Sequence, residues 1–218
     1  MKAWHFTGTS KRLGYGDGRL IEIGRTLKVQ GDLRMCHNGL HASKRLIDAL
    51  EYAPGPYVWR VEIGGDIIRD NDKAVASERT ALWGYDSTDV LKIFSRRCAL
   101  GVVHLWDAPD VVVKYLRGGD QEIRDASKSA SAASAAWDAW DVRAASYTDA
   151  AWAARAAWDA SAASAVWDAC VSRAASTAST AARAATATSA AAWDSAAWNA
   201  VRTMQNRRLE AMIIAHRP

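Results

Sequence analysis

Tyr57-Val58-Trp59-Arg60-Val61-Glu62-Ile63, followed by Gly64-Gly65, is the stretch whose reading decides the fold of the first half of the chain. β-Branched and aromatic residues dominate it and apolar positions alternate with polar ones, which predicts a strand closed by the glycine pair. Working backwards, Pro54-Gly55-Pro56 stops a helix predicted from about Lys44 to Tyr52, with Ser43 as its N-cap. Lys2 to Gly8 alternates around Trp4, His5 and Phe6 and predicts an opening strand. Gly14-Tyr15-Gly16-Asp17-Gly18 predicts a turn, followed by a short strand from Arg19 to Ile23. Working forwards, Glu78 stands at the head of a possible strand, and a helix is predicted from about Asp89 to Trp106, capped near Ser87. A shorter helix starts at Pro109, a residue suited to a first helical turn, and ends before Gly118-Gly119. These elements describe an α+β domain over residues 1–119.

The rest of the chain reads differently. All 14 glycines fall at or before Gly119, and apart from Pro218 the last proline is Pro109. With both strong breakers gone and Ala the commonest residue, residues 120–218 predict an all-α region of continuous or nearly continuous helix. Trp137, Trp140, Trp152, Trp158, Trp167, Trp193 and Trp198 recur in units such as Ala136-Trp137-Asp138. Ala lets helix axes approach closely, Trp fills the shallow surface of a neighbour, and Asp keeps the opposite face wet. One helix over the whole tail would extend about 140 Å, with an apolar face that only other chains could bury. A bundle of two or three helices, with Thr148 and Ser189 as N-caps and self-association through leftover Trp, is the preferred reading. Val201, Met204, Leu209, Met212 and Ile213 read as the buried face of its last helix.

Composition excludes several classes. Cys36, Cys98 and Cys170 form no CxxC pair, Met1-Lys2-Ala3-Trp4-His5 carries no apolar leader run, and no window approaches the roughly 20 apolar residues of a membrane span. Together these predict a cytoplasmic protein, within a bacterial host cell given the resemblances below, with no membrane partner. The net charge of +4 arises entirely before Gly119, with 18 Lys and Arg against 14 Asp and Glu there and 10 against 10 afterwards. Such an excess suits an anionic small ligand, a weak nucleic-acid contact or a plain solvated surface. No basic cluster or aromatic RNA-binding signature accompanies it, so nucleic acid is not the expected partner. No Walker loop, GxGxxG, GxSxG or HExxH motif is present. Cys36, His37 and His41 lack a fourth ligand at a recognisable spacing, and no metal is expected.

Three segments carry more information than their composition. Trp4-His5-Phe6-Thr7-Gly8-Thr9 ends the opening strand in a Gly/Thr turn. Gly39-Leu40-His41-Ala42-Ser43-Lys44 leads into a helix with Ala49 and Tyr52, and Ser77-Glu78-Arg79-Thr80 places a carboxylate 37 residues beyond His41, which itself lies 36 beyond His5. This order resembles the ADP-ribosyltransferase superfamily, in particular its poly-ADP-ribose-polymerase-like branch and the compact rifampicin-modifying type. The resemblance covers about residues 2–85 and implies a small mixed-sheet fold that binds NAD. It implies that His5, Thr7, Gly39, His41 and Ser43 line the cofactor site, with His5 on the adenosine-side ribose and His41 beside the nicotinamide. It implies that Glu78, with His41, serves catalysis by stabilising an oxocarbenium-like ribose. The sequence departs from the family at His41, where the family has Tyr, and in lacking a His-Gly pair. Read without the resemblance, His5 is a half-buried strand residue, Ser43 a helix cap, and Glu78 a surface carboxylate paired with Arg79 or Lys73.

The whole chain also resembles phage and prophage proteins that couple such a domain to an Ala/Arg/Trp/Asp-rich tail, which implies a role in phage–host conflict or virus assembly. Three functions follow. The chain is an NAD-dependent ADP-ribosyltransferase, or a binding protein that sequesters a nucleotide immune signal without turnover, or an oligomeric scaffold assembled through its Trp/Ala helices.

Overall fold

A computed structural model describes residues 1–14, 16–103, 110–119 and 195–217. It contains an antiparallel sheet of five strands with helices, an α+β fold ending in a C-terminal helix. The strands are β1 (Lys2–Thr7), β2 (Thr26–Lys28), β3 (Leu40–Ala42), β4 (Tyr57–Arg69) and β5 (Ala74–Asp86), and the helices α1 (Leu46–Glu51), α2 (Thr88–Val102), α3 (Asp110–Gly118) and α4 (Ser195–Ala215). Two compact units divide the chain. Residues 1–90 and 206–217 belong to the first, and residues 91–103, 110–119 and 195–205 to the second.

The first unit is organised by β4 and β5, which form one long hairpin. β1 pairs along β4, while the far edge of β5 is shared by β3 near its start and β2 near its middle. Just beyond β3, Ser43 exchanges both backbone hydrogen bonds with Trp4, at 2.8 and 2.9 Å. The backbone ladder therefore returns to β1, so the sheet curls on itself and has an interior face. Ala3, Leu27, Leu40, Ala42, Trp59, Val61, Ile63 and Ala76 pack there.

The opposite face carries Trp4 and Phe6, both buried, and one end of it lies under helix. Asn206, Leu209, Glu210 and Ile213 of α4 belong to this unit. The Trp4 indole N–H donates to Glu210 at 3.2 Å, and the Tyr85 hydroxyl donates to the Ile213 carbonyl at 2.8 Å. The Arg60 guanidinium lies 4.3 Å from the centre of the Trp4 ring, and the Trp83 ring meets Trp4 edge-on. Burial pushes the Tyr85 hydroxyl up to about 12.

Several expectations need correction. The strand opening at Tyr57 does not stop at Gly64-Gly65 but continues to Arg69, because the glycines form a bulge in which Gly65 takes a φ of +66° and a Cβ would run into Ser77. Residues 19–23 form only isolated bridges, not a strand. Ser43 is not a helix cap: α1 begins three residues later, behind Arg45, with no side-chain cap of its own, and the Ser43 backbone is spent in the ladder with Trp4. The cap expected near Ser87 is there: Asp86 accepts from the Thr88 amide at 2.9 Å at the start of α2. Of the expected α4 face, Leu209, Met212 and Ile213 are buried, but Met204 is 52 % exposed.

In the second unit, Leu91, Phe94 and Cys98 are buried along α2, and Val112, Tyr115 and Leu116 along α3, at the three- and four-residue spacings of an amphipathic helix. Trp137 to Trp193, the caps at Thr148 and Ser189, Pro109 and the choice between rod and bundle lie outside the described residues. No helix among the described residues is long and apolar enough to cross a membrane.

Candidate functional site

The interior face of the curled sheet holds an unusual set of polar groups. His5 stands on β1 opposite Trp59 of β4, between Ala3 and Thr7 on the same side of the strand. Thr7 is buried, and its hydroxyl accepts the Trp59 indole N–H at 3.0 Å. On β5, Arg79 lies opposite Leu27, whose side chain belongs to the interior cluster, so the guanidinium also turns inward.

Arg79 is 2 % exposed. Its Nη1 donates to the carbonyl oxygen of His41 at 2.6 Å, while its buried Nη2 has no partner. Among the described residues it makes no ion pair. Burial pulls the guanidinium down to about 10, the Asp17 carboxylate opposing that change and the Arg19 charge adding to it. Arg79 therefore keeps its charge at neutral pH. Burying a guanidinium with no direct ion pair carries a desolvation cost that one hydrogen bond and the Asp17 charge only partly offset, so this arrangement needs a reason.

His5 lies among protein atoms with part of its surface still open to solvent. Burial first, then the charges of Arg79 and His41, hold it well below the usual histidine range. It is neutral at pH 7 and offers one N–H donor and one ring-nitrogen acceptor to the interior face that Arg79 also enters.

The other expected site residues are used differently. His41 alternates with Leu40 and Ala42, which face the interior, so its ring turns away from it. Its Nε2 accepts the Cys36 amide at 2.9 Å, which places the proton of the neutral ring on Nδ1, toward the Gly39 backbone. Burial lowers the affinity of this ring for a second proton, with the Gly39 contact opposing and Arg79 and Lys73 assisting. What His41 gives the interior is its carbonyl oxygen. Gly39 has a φ of +131° and sits so close to Val75 that a Cβ would overlap it, so its glycine serves the backbone path.

Glu78 does not head a strand but sits in the middle of β5. Its carboxylate pairs with Lys28 at 2.7 Å, instead of Arg79 or Lys73, and both side chains are well exposed. The adjacent Thr26 and Thr80 hydroxyls meet at 2.7 Å on the same outer face. Glu78 and Arg79 are sequence neighbours on a strand and so point to opposite sides of the sheet. The structure thus groups His5, Thr7, Trp59 and Arg79, adds the His41 backbone, and sets Glu78 apart from them.

Arg79 was missed by sequence reasoning. A lone Arg between Glu and Thr reads as solvated surface, and its only signal is the apolar Ala74, Val75, Ala76 and Ala81 around it. Among the described residues no group of three or more His, Cys, Asp or Glu is placed to hold a metal ion.

Residues 8–93 match a family described as a domain of unknown function (DUF7666), a span that includes Arg79 and His41 and begins just beyond β1. No curated protein and no solved structure matches the chain.

Proposed function

We propose that the first unit is an ADP-ribosyltransferase-like domain that binds an NAD-type nucleotide without cleaving it, and that the protein acts in phage–host conflict by sequestering such a ligand. The Trp/Ala helices of the tail serve self-association in this reading. The observation that carries it is the division of the polar residues between two faces. His5 and a charged Arg79 share the interior, where an anionic ligand with hydroxyl groups finds both donors and acceptors. Glu78, the carboxylate that ribosyl transfer would need against developing positive charge, is engaged by Lys28 on the outer face. The basic excess of residues 1–118 favours the same class of ligand.

Calorimetric titration of the full chain with NAD and with ADP-ribose, following nicotinamide release in the same samples, tests this. Binding of either compound without release is the expected result. Release that depends on Glu78 would overturn the non-catalytic reading in favour of a transferase. Absence of binding by both compounds would overturn the nucleotide reading itself.

A further inference from the structure

The proposed ligand class leaves open which part of the ligand the domain grips. Arg79 addresses that question through a feature the fold does not use. Its Nη1 is satisfied by the His41 carbonyl, and this bond fixes the plane of the guanidinium. Its Nη2, equally buried, carries donors aimed at no protein acceptor. Buried polar groups are almost always hydrogen-bonded, and a charged donor is the costliest kind to leave unsatisfied. His5 projects from β1 to the same interior face and, held neutral by burial, supplies a second donor there. Among the described residues, the carboxylate whose charge acts on Arg79 is that of Asp17. Asp17, however, is committed to Arg19, which it holds by two contacts of 2.7 Å on an exposed turn.

We propose that Arg79, with His5 on the same interior face, is a phosphoryl subsite, in which an oxygen of the ligand's diphosphate accepts from Nη2. This rests on the nucleotide reading for the identity of the ligand, but not for the existence of an anion site. Arginine suits the task because its charge is permanent and its N–H groups sit in a fixed fork, one arm of which is already pinned. Asp17 keeps the empty site from carrying the full cost of a lone cation, and its negative charge opposes an incoming anion.

The test uses the full chain with inorganic pyrophosphate, ADP-ribose and adenosine as probes, titrated by calorimetry against wild type, Arg79→Met, Arg79→Lys and Asp17→Asn. Pyrophosphate and ADP-ribose are expected to bind wild type and to lose about tenfold or more in affinity in both Arg79 variants. Arg79→Lys keeps the charge but not the fork. Asp17→Asn is expected to tighten pyrophosphate several-fold. Should Arg79→Met not fold, the Arg79→Lys and Asp17→Asn arms decide alone. Unchanged pyrophosphate affinity in those two variants overturns the subsite, as does failure of wild type to bind pyrophosphate. The two claims separate cleanly. ADP-ribose binding that ignores Arg79 removes the subsite and keeps the nucleotide reading, whereas Arg79-dependent pyrophosphate binding with no response to ADP-ribose or adenosine does the reverse.

Discussion

The two faces of the short strand β1 make opposite use of the same few residues. On one side Trp4 and Phe6 are buried, the Trp4 indole holds Glu210 and Arg60 lies over its ring, although Arg45 at the start of α1 also buries an Nη2 without a partner. On the other side His5 and Thr7 look into an interior where a guanidinium is buried with one arm unsatisfied. A face built for stability satisfies its donors from within the chain. A face that leaves a charged donor without an acceptor gives up stability, and that deficit calls for an explanation, here the proposed anion site.

The largest expected effect lies on the sealed face. Trp4→Ala removes a ring that is 2 % exposed and takes with it the contacts of Glu210, Arg60 and Trp83; it is expected to cost about 3–5 kcal/mol in denaturant unfolding of the full chain. A loss below 1 kcal/mol would mean that the helix does not seal this face.

Next comes acid, which acts on the other side of the ladder. His5 and His41 are both held below their ordinary range, so the unfolded chain binds more protons than the folded one once the pH falls beneath about 6.5. Stability is therefore full above that pH and declines as the pH drops toward the folded-state values, by at most about 1.4 kcal/mol per pH unit for each histidine. Unfolding curves between pH 7 and pH 5, compared with a His5→Asn variant, check this; an equal slope in both would remove His5 as a contributor.

Asn206→Ala should cost about 1 kcal/mol, read as a shift in the denaturation midpoint. The Asn206 side-chain oxygen accepts the Ile47 amide at 3.0 Å, in the first turn of α1, where the local N-cap Arg45 offers no side-chain bond. The smallest effect belongs to Arg79→Met, expected to change stability by no more than about 1 kcal/mol in either direction, since loss of one bond to His41 is offset by relief of a buried charge. A loss comparable to that of Trp4→Ala would show that Arg79 is a structural pillar of the interior face.

Much of this contrast was legible in the sequence. Strand alternation in Lys2 to Thr7 separates Trp4 and Phe6 from His5 and Thr7 at sight, and Tyr57 to Ile63 declares its strand through its β-branched and aromatic content. What failed did so where strict alternation fails. Two residues of β4, Gly65 and Asp66, stand against Ser77 alone, and the strands slip again between Arg60 and Val61. Carried on from Ala74 and Ala76, a period of two would turn Glu78 inward and Arg79 outward, the reverse of what is found. Glycine pairs mark both strand ends and bulges, and nothing local tells the two apart. Ser43 failed for a related reason, since a serine before a helix serves equally well as the last rung of a ladder whose other half lies 39 residues earlier at Trp4.

The contact between Asn206 and Ile47 also bears on how the molecule is made. Domains generally fold as units while the chain emerges during synthesis, those nearest the N-terminus first. Here a helix begun at Leu46 receives its cap from a residue 159 positions downstream of Ile47. These bonds to the sheet unit, from Asn206, Glu210 and Ile213, can form only after α4 has been synthesised. A chain that stops before α4 lacks both the Asn206 cap on the Ile47 amide and the Glu210 partner of the Trp4 indole.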